Sequence, residues 1–495
     1  MKKEVLRLEN VTVENKGIVY LDDFSLTIVE GEIIGMIGTN HHGLDELISL
    51  ICDNITLKYG RVYFNEKMVN TYLWDTKVAN KVFLIDQKSR LVPDLTISDN
   101  IFVLRKGFKK YVINRKMLNQ QVDQTMQELG LQIDPNLCVS QLNSFERCTV
   151  ELIRAVLTGS NLILLREINE VLSSSELAAF FNMIRYYRKQ GISFLYIANH
   201  HEEVFQICTR FALVEDGKIV KFLFQNEMNE QHITPFVTPI ENLEKKSRTN
   251  NKPVLELRDI RTEYINGISC KIYAGECLTF LDCNNMLIQD FVTLFKAEYI
   301  NYSGKILKDG KEVFTKKDFL NLSEDMIVIP ENPMKNMLFS EMTYLENLSF
   351  LVDQKIHKSL MKRGIYKSIE KEYIKEIGED LRESYIDHLS PQSLYTLIYY
   401  KVLLYNPEMV CIVQPFLGAD MYLRVHIAKL INRLKQEGIA VVILTVHVTD
   451  VLAVSDELYL IENGKLSQDG KIQENQSVKE NYYRHRFEEK LKKNK

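Results

Sequence analysis

The sequence predicts an α/β protein in which one sheet-and-helix unit is built twice along the chain. The first observation is an internal echo. Phe24 to Gly38 (FSLTIVEGEIIGMIG) matches Ile268 to Asp282 (ISCKIYAGECLTFLD), so that Gly31-Glu32 aligns with Gly275-Glu276 at an offset of 275 − 31 = 244. The echo continues in order through YGRVYFNEKMV and YSGKILKDGKEV, then VFLIDQ and MIVIPEN, NLILLREINEVL and EMVCIVQPFLGA, and finally the closing stretches 192–220 and 439–466. Second, each half carries short β-branched, fully apolar runs (LILL, SFLYI, AVVIL) of the kind that fill mostly parallel sheets. Third, a charged, helix-spaced segment from Arg105 to Leu129 interrupts the first half. Its counterpart, from about Phe350 to Asp387, interrupts the second, so each sheet core should carry an inserted helical subdomain.

The expected organisation is a first unit over 1–243, a polar linker over 244–253 (EKKSRTNNKP, ending in proline), a second unit over 254–475 and a basic helix over 476–495. With 495 residues and 45% hydrophobic content the chain can pack two cores. The 62 basic and 66 acidic residues leave a net charge of −4, which argues against nucleic acid as a partner. Eight scattered cysteines without C-x-x-C spacing read as reduced core thiols of a cytosolic protein. The N-terminal stretch has no apolar core of a signal peptide, and no apolar run approaches the ~20 residues of a membrane span. Any membrane role must then come through a partner.

Candidate chemistry begins at GTNHHGLDEL, Gly38 to Leu47, between a strand-like run and a helix-like one. Gly38 and Gly43 keep the G-x-x-x-x-G spacing of a phosphate-binding loop, around Thr39, Asn40, His41 and His42. Where such a loop continues with Lys and then Ser or Thr, this chain has Leu44 and Asp45. Adjacent histidines rarely both face one ion, so no metal site is expected at His41 and His42.

At this point the order of elements resembles the ATP-binding subunit of ABC sugar importers, of the ribose/galactoside type that carries both cassettes in one chain. The most specific stretch is Gln87 to Phe102 (QKSRLVPDLTISDNIF), which looks like the Q-loop and the segment after it. Val328 to Phe350 resembles that family's second-cassette variant, in which a Pro-Glu pair containing Glu331 replaces the glutamine. The resemblance implies two P-loop NTPase-like cassettes, each with a mostly parallel sheet core, an antiparallel β subdomain and a helical subdomain. It also implies ATP and Mg²⁺ as ligands, pairing of the two cassettes, docking on membrane permease subunits with a solute-binding protein engaged indirectly, and a place at the cytoplasmic face of the cell membrane.

Carried over position by position, the resemblance places Leu44 where a Lys would hold phosphate, Asp45 at the metal-binding Ser/Thr and Arg166 at the Walker B Asp. Glu167 keeps the catalytic Glu position, Asn199 takes that of the switch His, and the signature falls at Leu142 to Glu146. In the second cassette Asp282, Leu287, Ile288 and Gln289 fill the P-loop positions. Val413 and Gln414 take the Walker B Asp and catalytic Glu places, Val446 the switch position, and Ser390 survives in a signature reading LSPQS.

Two positions that would share one Mg²⁺ have thus become Asp45 and Arg166, and their opposite charges predict a salt bridge in the metal's place. If buried, cutting it would cost about 3–5 kcal/mol. Phosphoryl transfer rests on positioning and charge stabilisation, so ATP hydrolysis is expected to be weak or absent. This leaves two readings: a sugar-importer-type subunit docking on permeases, or a catalytically dead cassette pair serving as regulator or scaffold for a membrane sensor or transporter. A translation-factor ABC protein fits less well, since those keep intact motifs in both halves.

Overall fold

The computed structural model describes residues 2–74, 78–102, 115–199, 201–228, 253–282, 287–296, 302–313, 318, 322, 324–355, 362–446, 451–462 and 464–466. Apart from Pro253, the expected linker lies outside the described residues, as does the expected C-terminal helix. The chain divides into two compact units, residues 1–238 with 418–422, and residues 239–417 with 423–495.

In the first unit, β1 (Glu4–Asn15) and β2 (Ile18–Val29) form a long antiparallel hairpin whose turn, Lys16-Gly17, takes positive φ at both residues. This mirror-type turn matches strand twist. With β4 (Tyr59–Phe64) and β5 (Lys67–Thr71) they make a four-stranded sheet in the order β2-β1-β4-β5. The second sheet has the order β10-β9-β3-β8-β7-β6, built from β3 (Ile33–Gly38), β6 (Val82–Ile85), β7 (Leu162–Arg166), β8 (Ser193–Ile197), β9 (Arg210–Glu215) and β10 (Lys218–Phe224). All of its pairs are parallel except the β9-β10 hairpin. Every residue of β8 is buried, as expected for a central parallel strand covered on both faces.

The helical subdomain of this unit comprises Ile97–Phe102, Arg115–Glu128 and Ser144–Leu157, packed around Leu91, Ile97, Ile101, Val122, Met126, Val150 and Ile153. The last helix starts within the signature stretch. Asn143 caps it by accepting from the Glu146 N–H, while the Glu146 carboxylate accepts from the Asn143 N–H.

The second unit repeats this topology strand for strand. β11 (Leu255–Arg261), β12 (Asn266–Ile272), β14 (Ser303–Lys308) and β15 (Lys311–Glu312) have the order β12-β11-β14-β15. β13 (Cys277–Asp282), β16 (Met326–Ile329), β17 (Met409–Val413), β18 (Ala440–Thr445), β19 (Glu457–Glu462) and β20 (Lys465–Leu466) have the order β16-β17-β18-β13-β19-β20. Its helical subdomain packs Tyr344, Leu348, Ile369 and Leu397 together. The predicted α/β class is the observed one, with an antiparallel sheet, a mostly parallel sheet and a helical subdomain in each unit. The seven described cysteines are free thiols. Among the described residues no helix is long and apolar enough to cross a membrane.

Candidate functional site

In the first unit the loop from Thr39 to Gly43 joins the end of β3 to the helix Leu44–Asp53. Gly43 is the helix N-cap at φ 79°, and a Cβ there would lie 2.1 Å from the Tyr20 carbonyl, so this glycine is required twice over. The loop is tied down by its own side chains. Asn40 donates to Asp216 at 2.7 Å and accepts from the His42 N–H, while the Thr39 N–H donates to the Val214 carbonyl. The His42 ring stacks on Tyr20 and its Nε2 lies 2.8 Å from the Val19 carbonyl.

Leu44, at the phosphate-binding Lys position, does not project from the loop. It is 4% exposed, belongs to the core beneath, and reaches under Gly38, where its Cδ1 would be 3.1 Å from an added Cβ. Its backbone N–H donates to the His41 carbonyl.

Asp45 and Arg166 meet at 2.6 Å. The expected salt bridge is present, but the expectation of a cost near 3–5 kcal/mol is corrected by exposure: the Asp45 side chain is 70% exposed and that of Arg166 24%. Water screens such a pair, and it contributes on the order of 0–1 kcal/mol. Desolvation works to lower the Arg166 guanidinium, but the charges of Asp45, Glu167 and Asp86 outweigh it and hold the group above its ordinary value.

Behind this pair lies a buried carboxylate cluster. Glu167 takes a left-handed backbone (φ 49°), its N–H donates to the Ile197 carbonyl, and its carboxylate accepts from Gln87 at 2.6 Å. The same Gln87 amide donates to Glu170 at 2.7 Å, and Asn199 donates to the other Glu170 oxygen at 2.8 Å. His41 Nδ1 stands 3.9 Å from Glu167. Sequence reasoning brought Gln87, Glu167, Asn199 and His41 to one place but missed Glu170, the acid that links two of them.

The second unit closes the equivalent place differently. Asp282, at the position of Gly38, is buried and its Oδ2 accepts from the Leu287 N–H at 2.6 Å, directly before the helix Ile288–Phe295. A helix N-terminus is a ready anion site, and here the chain supplies the carboxylate itself. Ile288 is half-buried, Gln289 exposed, and Val413 and Val446 are both in the core.

Gln414 repeats the left-handed conformation of Glu167 (φ 45°), and its N–H donates to Leu444 as that of Glu167 does to Ile197. Its amide donates to Glu331 at 3.4 Å. The amide–carboxylate pair of the first unit, Gln87 to Glu167, is thus reversed as Glu331 and Gln414. Burial raises the Glu331 carboxyl above its ordinary range. The Ser390 hydroxyl caps the helix Pro391–Tyr405 by accepting from the Ser393 N–H. Among the described residues no cluster of His, Cys, Asp and Glu could hold a metal.

The ABC transporter family model matches residues 21–168, the span from β2 through the Arg166-Glu167 corner. Along nearly its whole length the chain is similar to the ribose import ATP-binding protein RbsA of Clostridium perfringens (strain 13 / Type A), 26% identical over 473 residues that cover 93% of this chain and 94% of the relative. It is similarly related to the xylose import ATP-binding protein XylG of Geobacillus kaustophilus (strain HTA426), at 23% identity with 94% and 96% covered.

The chain carries an ABC transporter domain over residues 21–168, and the relatives it matches along nearly its whole length are tandem-cassette sugar-import ATP-binding proteins.

The fold also resembles a chain in the crystal structure of the complex of archaeal ribosomal stalk protein aP1 with archaeal ribosome recycling factor aABCE1, with a TM-score of 0.58 at 15% identity, covering 92% of this chain and 89% of that one. At that identity the likeness is one of fold alone.

Proposed function

We propose that this chain is an importer-type cassette pair that docks on membrane permease subunits at the cytoplasmic face, with ATP hydrolysis weak or absent. The observation that carries this reading is the Asp45–Arg166 contact at 2.6 Å. The two side chains whose family counterparts would share Mg²⁺ are spent on each other. A guanidinium at that place repels a divalent cation, and Asp45 repels phosphate. Leu44 supports the reading by lying in the core, and Asp282 by filling the helix N-terminus of the second unit. The residues present do not fit Mg²⁺-ATP held in the family's manner. Without metal and Lys, Glu167 has no water to orient.

The test is steady-state ATP turnover by the purified full chain beside a Leu44→Lys/Asp45→Ser/Arg166→Asp variant. The expected result is background turnover by the unaltered chain and a gain in Mg²⁺-dependent nucleotide binding by the variant. Robust Mg²⁺-dependent hydrolysis by the unaltered chain would overturn the reading. Crosslinking from residues 88–92 and 334–339 in intact cells then reads the partner. A permease supports the importer assignment, and a membrane sensor instead would replace it with the regulator role.

A further inference from the structure

In each unit the segment that leaves the outer parallel strand, β6 or β16, runs to the helical subdomain, and each segment is pinned at two points. The far pin is the same in both. Asn100 is fully buried; its Oδ1 accepts from the Val92 N–H and its amide donates to the Val92 and Thr96 carbonyls. Asn347, also fully buried, does the same for Phe339 and Thr343 at an offset of 347 − 100 = 247. The near pin differs.

In the first unit it is Glu151 on the helix Ser144–Leu157, 1% exposed, whose Oε1 accepts from the Arg90 N–H at 2.7 Å and from the Ser89 hydroxyl at 3.0 Å. In the second it is Lys401 on the helix Pro391–Tyr405, 2% exposed, whose Nζ donates to the Met337 carbonyl at 2.7 Å between the rings of Phe339 and Phe350. The same joint is closed by an acid in one unit and a base in the other.

We propose that Glu151 and Lys401 are positioning residues that fasten, in each unit separately, the segment beyond the outer strand to the helix that follows the signature stretch. The far pins, Asn100 on the helix Ile97–Phe102 and Asn347 on the helix Tyr344–Lys355, are neutral. Burying an ion instead is costly, and the cost is visible. Glu151 is pushed up to about 7, chiefly by desolvation, against the opposing Arg90 and Ser89 bonds and the charges of Arg154 and Arg90. Lys401 is lowered to about 8 by burial.

The groups facing Glu151 are Arg90 and Ser89 from the segment, and Arg154 and the Cys148 thiol from its own helix. Lys401 faces the two rings and a carbonyl and, among the described residues, has no carboxylate partner. The first unit's segment also contains Gln87, whose amide grips Glu167 and Glu170. Glu151 thus ties the carboxylate cluster to the signature helix.

The experiment is hydrogen exchange with single-residue resolution on the full chain, corrected for intrinsic chemistry, in the wild type, Glu151→Gln and Lys401→Met. The buried carboxyl is raised, so an opening that frees the Arg90 N–H and wets Glu151 becomes easier as the acid ionises, and protection of the Arg90 amide should fall roughly fivefold from pH 6 to pH 8 in the wild type and stay flat in Glu151→Gln. The Val92 amide, held by Asn100, should not follow. Lys401→Met, an apolar swap of similar volume, should loosen residues 335–340 at pH 7.5, and Lys401→Arg should restore them. A flat wild-type profile at Arg90, an identical profile in Glu151→Gln, or unchanged exchange at 335–340 in Lys401→Met would each overturn the proposal. It rests on the docking reading only for what these segments meet. Exchange on the isolated chain reads the pins and crosslinking reads the partner, so either can fail alone.

Discussion

Replacing Glu151 by Gln should make the protein more stable at neutral and alkaline pH while leaving its acid stability nearly unchanged. The carboxyl is raised from 4.5 to about 7, so between those values the folded state holds a proton that the unfolded state has released. Stability from this group is fully present below pH 4.5 and is lost as pH rises through 7. The difference of about 2.5 pH units corresponds to about 3 kcal/mol at 1.36 kcal/mol per unit. Gln carries no charge to bury, and any fixed cost of its amide cancels when variant and wild type are compared across pH. The assay is thermal unfolding of both proteins from pH 4.5 to pH 8.5. For a unit of this size about 1 kcal/mol moves Tm by roughly 2–4 °C, so the variant's advantage should grow by about 6–12 °C over the range and level off above pH 7. A difference in Tm that stays constant with pH would refute the assignment of a near-neutral buried acid to this position.

Three further outcomes are expected. A double-mutant cycle on Asp45→Ala and Arg166→Ala, read by urea unfolding, should give a coupling of about 0.2–1 kcal/mol, falling with added salt, because Asp45 is largely exposed; a coupling above about 3 kcal/mol would contradict that exposure. Leu44→Ala should cost about 2–5 kcal/mol as a core truncation, whereas a loop side chain reaching toward a ligand would cost almost nothing. Asp282→Ala should destabilise the second unit by about 1–3 kcal/mol through the orphaned Leu287 N–H, and added phosphate should recover part of that loss; no loss would mean that the carboxylate is not the helix's internal anion.

Much of the architecture was legible because duplication writes the topology twice. The two sheets in each unit follow the echoed strands in order, and the Asp45–Arg166 contact could be anticipated from two substitutions that exchange a shared metal for opposite charges. The features that stayed hidden depend on directions that spacing does not encode. Leu44 sits in register with a phosphate-binding Lys, yet its apolar side chain turns into the core beneath the loop. Asp282 reads as the loss of a glycine until its carboxylate is seen to accept from the Leu287 N–H five residues on. The exchange of Gln87–Glu167 for Glu331–Gln414 was present in the letters as two separate departures, Glu331 and Gln414. Only the fold pairs residues 80 and 83 positions apart. Glu151 and Lys401 gave no signal, since an isolated charge on a helix normally marks a solvated face and nothing in either sequence neighbourhood announces burial.

The most direct test is thermal unfolding of the full chain with ATP at millimolar concentration, with Mg²⁺ and with excess chelator. A ligand present at 100 times its Kd adds about 2.7 kcal/mol to the folded state, so family-like binding would raise Tm by several degrees only when Mg²⁺ is present. If the Asp45–Arg166 pair and the Asp282 carboxylate occupy the phosphate and metal positions of the two units from within, the curves with and without Mg²⁺-ATP should coincide. A reproducible Mg²⁺-dependent rise would contradict the claim that these positions are already filled.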